Sequence, residues 1–161
     1  MYKIERNILS FGQADSYSMA KSKTEEFLHK NYSIPKISLI IPVLEEEKII
    51  DDTLSRYPKE ILAKYNIELI ISDGGSKDTT IEIAKKYTNK IVVHQGQDKQ
   101  LISRGRNAGA FEARGDFLIF MNGDTYPEDC ELFFTFVSDW ASGKGEFKDC
   151  DGLTCYVTIE P

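Results

Sequence analysis

The stretch ISLIIPV, residues 37–43, is apolar at odd and even positions alike apart from Ser38. A strand points successive side chains to opposite faces, so such a run has to be covered from both sides. The inner strands of a parallel sheet are covered in this way. Parallel neighbours need a long crossover between them, usually a helix, and the sequence supplies one each time. IELIIS (67–72), KIVVH (90–94) and DFLIFMN (116–122) repeat the strand texture. EEEKIIDDTLSRY (45–57), DGGSKDTTIEIAKKY (73–87) and DKQLISRGRNAGAFEA (98–113) lie between the strands, and PEDCELFFTFVSDW (127–140) follows the last of them, all with helix-like spacing. Thr79 and Glu82 stand in capping-box spacing, Pro127 falls near a first turn, and DGLTCYVTI (151–159) reads as a final strand. The expectation is an α/β fold, a doubly wound and mostly parallel sheet with right-handed crossovers. The strand before Asn122 is apolar on both faces and is expected to be central.

Size agrees. A chain of 161 residues suits one domain and buries roughly 70% of its unfolded surface. Residues 1–35 are polar and weakly patterned, with a short helix expected over AKSKTEEFLHKNY (20–32), and are read as an N-terminal extension. The domain proper is 36–161. A net charge of -6 argues against a nucleic-acid partner, which would need clustered Lys and Arg. No apolar run approaches the ~20 residues of a transmembrane helix, and MYKIERN has no signal-peptide core. Cys130, Cys150 and Cys155 follow no zinc spacing and read as reduced thiols. A cytoplasmic protein is expected, with peripheral membrane contact left open.

In open α/β sheets ligands bind beyond the carboxyl ends of the strands. Here those loops are PVLEEE, SDGGSKDTT, HQGQDKQ and NGDTYPED. Asp73 directly follows the second strand and precedes Gly74-Gly75. It can accept from a base or ribose while glycine lets backbone N–H groups approach a ligand, or it can simply shape a tight turn. Neither common glycine loop, G-x-G-x-x-G or G-x-x-x-x-G-K-[ST], is present. Asp124, in Asn122-Gly123-Asp124-Thr125, offers a hard oxygen to Mg2+ or Mn2+, which take one or two carboxylates plus substrate phosphates. The same four residues also suit an ordinary turn. Arg104 and Arg106, on the helix before the fourth strand, can pair with a diphosphate or stay solvated. His94 reads as a polar cap.

Taken in order, ISLIIPVLEEE, ISDGGSKDTT and RNAGAFEARGDFLIFMNGDT resemble the nucleotide-sugar half of family-two glycosyltransferases of the GT-A, Rossmann-like fold. They match that family's strand ending in Pro-x-x-Asn-Glu, its Asp-Gly-Gly-Ser-x-Asp-x-Thr turn, and its Asn-x-Gly helix with the D-x-D element. The resemblance covers about Lys36 to Asp129. It implies a nucleotide-diphosphate sugar bound by Pro42, Val43, Glu45, Asp73, Gly74, Arg104, Asn122 and Gly123. Asp73 would take the base, and Mn2+ or Mg2+ would sit on Asp124. The branch it resembles most includes polyprenyl-phosphate sugar transferases, which implies a lipid phosphate or a saccharide as acceptor.

Two positions depart from the pattern: Glu45 stands where the family has Asn, and Asn122 where it often has Asp. The family's acceptor-binding half and its catalytic base follow the D-x-D element by a further long stretch, whereas this chain ends at Pro161. The expectation is therefore a donor-binding half lacking the acceptor half, its catalytic residues unassigned; Glu160 and Asp151 are the bases nearest to hand. Two rivals stand beside it. One is a non-catalytic nucleotide-binding or interaction module, which Asn122 favours. The other is a nucleotidyltransferase, which would show a glycine-rich basic loop where PVLEEE is acidic.

Overall fold

In a computed structural model of the protein, residues 37–94 and 101–154 are described. Four parallel strands, β1 (Ile37–Val43), β2 (Ile67–Asp73), β3 (Ile91–Val93) and β4 (Phe117–Phe120), form one sheet in the order β3-β2-β1-β4. The helices are α1 (Ile50–Ser55), α2 (Lys59–Lys64), α3 (Thr80–Ala84), α4 (Ile102–Glu112) and α5 (Cys130–Ala141). The α/β expectation holds.

β1 is buried at every position, and its two faces meet different layers. Ile37, Leu39, Ile41 and Val43 join Leu69 and Ile71 of β2 in a core closed by Ile50 and Leu54 of α1, Leu62 of α2, and Phe134 and Val137 of α5. Ile40, on the opposite face, meets α4. A Cβ built on Gly109 would lie 2.4 Å from Ile40 Cγ2, so α4 reaches the sheet only because glycine stands there. Gly109→Ala is therefore expected to destabilise by about 1–3 kcal/mol, the usual range for an overpacked core. A control, Gly152→Ala, meets open space and should change little. Chemical denaturation checks both, as a lower midpoint at unchanged slope for Gly109→Ala alone.

At the other end of the sheet one carboxylate ties three elements together. Glu68 Oε1 accepts from Ser38 Oγ at 2.5 Å, Arg114 N at 2.6 Å and Gly115 N at 3.1 Å, and Lys90 pairs with its second oxygen. Gly115 is needed for this approach, since a Cβ would stand 2.6 Å from Ser38 N. The entry of β4 is thereby pinned to β1.

Several expectations need correction. β4 is not central: among the described residues it is an edge strand, paired only with β1. α5 covers one of its faces, with Trp140 packed edge-on to Phe117 at 5.4 Å, while Phe120 on the other face stays 41% exposed. The helix over 45–57 shortens to Ile50–Ser55, because Glu45–Glu47 are drawn into a loop network. α2, unforeseen, follows Pro58. Thr79 makes no side-chain cap for α3; its hydroxyl donates to Glu47 instead. At α5, the side chain of Asp129 caps the helix by accepting from Leu132 N at 2.9 Å. Residues 151–154 form no strand. The helix at 20–32, the 95–100 part of the third loop, Cys155–Ile159 and Glu160 lie outside the described residues. Among the described residues no helix is long and apolar enough to cross a membrane.

Candidate functional site

The sheet opens where β1 and β4 part, and Pro42 marks the point. The β1–β4 register ends at Ile40↔Phe120, with a last bond from Met121 N to Ile40 O at 3.1 Å. In a strand alternate residues face the same neighbour, so the position after Ile40 to face β4 is Pro42. It has no N–H to offer. On the β2 side pairing runs to the end, Val43 opposite Asp73, and Gly74 N donates to Val43 O at 2.8 Å. Gly123 then crosses over the end of β1, where a Cβ would lie 3.3 Å from Val43 Cγ1 and 3.6 Å from Glu46 Cγ.

Asp73 is fully buried at the end of β2. Its Oδ2 accepts from Gly75 N at 2.8 Å and Ser76 N at 2.9 Å, which Gly75 permits by taking φ of +95°. This is the tight turn that the sequence also allowed. The other oxygen, Oδ1, is buried and has no donor among the described residues. A buried acceptor left unpaired costs about 1–3 kcal/mol. An N–H brought by a ligand would remove that cost.

The loops after β1 and β2 are stapled together. Three successive backbone N–H groups donate across: Glu45 N to Ser76 Oγ at 2.8 Å, Glu46 N to Thr80 Oγ1 at 2.8 Å and Glu47 N to Asp78 Oδ2 at 3.2 Å. Glu47 answers by accepting from Thr79 N and Oγ1. The donors force Glu45 to φ of +57°, a left-handed conformation that Asn tolerates and a longer side chain resists. Glu45 is therefore locally strained at a position where the resemblance leads one to expect Asn. A concavity of about 560 Å³ lined by Glu45, Glu47, Lys77 and Asp78 lies on this staple and includes neither Asp73 nor Asp124.

At β4 the NGDT segment is a turn, Thr125 N to Asn122 O at 3.2 Å, and it also presents an exposed carboxylate. Among the described residues Asp124 accepts only from Thr125 Oγ1, at 3.0 Å through Oδ1. The Glu46 carboxyl is held above its ordinary range by partial burial first, then by the negative charges of Asp124 and Asp78. The end of β1 and the NGDT turn are thus electrostatically in touch, a relation the sequence reading missed.

The two arginines separate. Arg104 is exposed and has no hydrogen-bond or ion-pair partner among the described residues. Arg106 is half-buried, and its Nη2 donates to Asn122 Oδ1 at 2.8 Å. Asp73, Gly74, Pro42, Val43, Glu45, Asn122, Gly123 and Asp124 therefore gather at one edge of the sheet. Arg106 joins them through its bond to Asn122. His94 contributes a backbone N–H to Asp73 O at 2.9 Å.

Could this edge hold a divalent ion? Asn122 Oδ1 is committed to Arg106, and among the described residues no three His, Cys, Asp or Glu side chains converge. The donor set is the Asp124 carboxylate. One carboxylate fits Mg2+ or Mn2+ completed by ligand phosphates and water, and does not fit a closed protein cage.

The sequence matches the model of glycosyl transferase family 2 over residues 38–134. Among curated relatives, the poly(ribitol-phosphate) beta-N-acetylglucosaminyltransferase TarS of Staphylococcus aureus is 31% identical over 94 residues, 56% of this chain and 16% of that one. A dolichyl N-acetyl-alpha-D-glucosaminyl phosphate 3-beta-D-2,3-diacetamido-2,3-dideoxy-beta-D-glucuronosyltransferase of Methanococcus voltae is 33% identical over 97 residues, 57% of this chain and 30% of that one. The match thus spans less than a third of either relative. Among solved structures, S. aureus TarS 1-349 in complex with UDP aligns with a TM-score of 0.52 at 26% identity, covering 67% of this chain and 32% of that one. The mannosyltransferase PcManGT of Pyrobaculum calidifontis, solved with GDP-Man and Mn2+, shares the fold at a TM-score of 0.54 and 14% identity, covering 79% and 40%.

Proposed function

The chain belongs to glycosyl transferase family 2, and from that premise we propose that it binds a nucleoside diphosphate sugar across the ends of β1, β2 and β4, for transfer of the sugar to an acceptor. The observation that carries the reading is the unpaired, buried Asp73 Oδ1. A uracil or guanine N–H directed at that oxygen would satisfy it, and the Gly75 and Ser76 N–H groups already hold the carboxylate in place. The relative solved with UDP supports a uridine nucleotide over the others.

The remaining residues divide the ligand between them. Pro42 and Val43 form the floor, where the absent N–H leaves room between the strands. Gly74 and Gly123 keep the two walls low, and Asn122 reaches the diphosphate end. A divalent cation at Asp124, Mn2+ or Mg2+, supplies charge that offsets the leaving diphosphate. The protein's part there is to aim one carboxylate, with Thr125 Oγ1 orienting it, and to let Glu46 add negative potential behind it. The acceptor, a saccharide or a lipid phosphate, and the base that deprotonates it are unassigned among the described residues.

Isothermal titration of the chain with UDP, GDP and ADP tests the proposal. Binding of UDP or GDP well above ADP is the expected result, because Asp73 asks for a ring N–H that adenine lacks on the matching edge. Equal or absent binding of all three would overturn it.

A further inference from the structure

Asn122 occupies the position at which a carboxylate would share in holding a cation, yet its amide oxygen faces Arg106 Nη2 at 2.8 Å. This orientation is chemically forced. A guanidinium carries only donors, so the group turned towards it must be the oxygen. The amide N–H2 is then the part left over, and Asn122 is neither buried nor paired through that nitrogen among the described residues. The helix that carries Arg106, α4, lies against β1 and β2 at Gly109, where a Cβ would stand 2.4 Å from Ile40 Cγ2 and 3.5 Å from Ser72 Cβ.

We infer that Arg106 is a positioning residue that fixes Asn122 as a hydrogen-bond donor to an oxygen of the bound nucleoside diphosphate sugar, and so removes Asn122 from the cation's ligands. The inference rests on the site proposed above. Arg106 acts through Asn122 and does not itself touch the diphosphate. Its second consequence is that metal-free binding is stronger here than it would be with two carboxylates facing the same phosphates, since a donor replaces a negative charge.

A double-mutant cycle on the full chain reads this out as UDP affinity in EDTA. Asn122→Ala is expected to weaken UDP roughly 3- to 10-fold, the size of one hydrogen bond. Arg106→Met should cost about the same, and the double variant no more than Asn122→Ala alone. Arg106→Lys keeps a donor towards the amide oxygen and should recover most of the loss, which a residue needed only for packing would not show. Losses that multiply in the double variant would mean that Arg106 contacts the ligand itself, and the inference would fall. Asn122→Ala binding UDP as well as wild type would also sink it.

Should wild type bind no UDP, the site reading fails, and a ligand-free measurement decides the clamp separately. The Asn122 side-chain NH2 resonances, assigned by their loss in Asn122→Ala, should move in Arg106→Met and return towards wild type in Arg106→Lys. If they stay where they are, the amide is not held by Arg106.

Discussion

Asp73→Asn is expected to weaken UDP or GDP binding roughly 100-fold while leaving the melting temperature within a few degrees of wild type. The substitution is nearly isosteric, and its polarity is decided by the turn. Gly75 N and Ser76 N donate to Oδ2 at 2.8 and 2.9 Å and need an oxygen opposite them. The new NH2 must therefore take the place of Oδ1, the oxygen now without a partner. In the free protein this exchange costs little, because neither group is paired there. In the complex it sets donor against donor, losing a bond to a charged acceptor and leaving two N–H groups unsatisfied. Titration calorimetry with a thermal melt of each protein checks both halves. Wild-type affinity in Asp73→Asn would remove the residue from the base site.

Asp124→Ala is expected to abolish the help that Mn2+ gives to nucleotide binding, while affinity in EDTA rises slightly, because a negative charge facing the phosphates is gone. With one protein carboxylate the ion is shared with the diphosphate, so metal and nucleotide should each raise the other's affinity by the same factor, of the order of 10- to 100-fold. Removing the carboxylate should reduce that factor to about one in both directions. Its exposure and, among the described residues, its single bond to Thr125 mean that the fold loses little. Two titrations suffice: UDP with and without Mn2+, and Mn2+ with and without UDP. A wild type indifferent to Mn2+ would leave Asp124 as a turn residue and end the metal assignment.

Much of this was legible in the residues. Two-faced apolar runs separated by helical segments gave the parallel sheet, because few other arrangements cover both faces of four short strands. Asp73 and Asp124 stood out as carboxylates where strands stop. What stayed hidden depended on neighbours distant in sequence. The edge position of β4 could not be read from its apolarity, since a helix buries a strand's face, as Trp140 of α5 does at Phe117, whether or not a second strand pairs with it. Which arginine meets Asn122 is a matter of helix phase. Taken from the Gly105–Gly109 stripe at ~100° per residue, Arg106 lies about 80° round and Arg104 about 120° the other way. Those glycines were visible and could have favoured Arg106. Thr79 was misassigned as a cap because its partner, Glu47, comes from another loop, and α2 is too short at six residues to show a period.

The staple between the loops after β1 and β2 has a kinetic meaning. Glu45, Glu46 and Glu47 each give a backbone N–H to a side chain 31 or 34 residues away, and each such bond closes a circuit through the sheet. Breaking one leaves the other two holding the same geometry, so the loops cannot loosen strand by strand. They separate together or stay shut. A ligand arriving at Asp73 therefore meets two walls already in register, and the slow step of its capture need not be the gathering of these loops. The same locking slows escape only as far as the ligand's own contacts do, so differences among nucleotides would show mainly as differences in residence time.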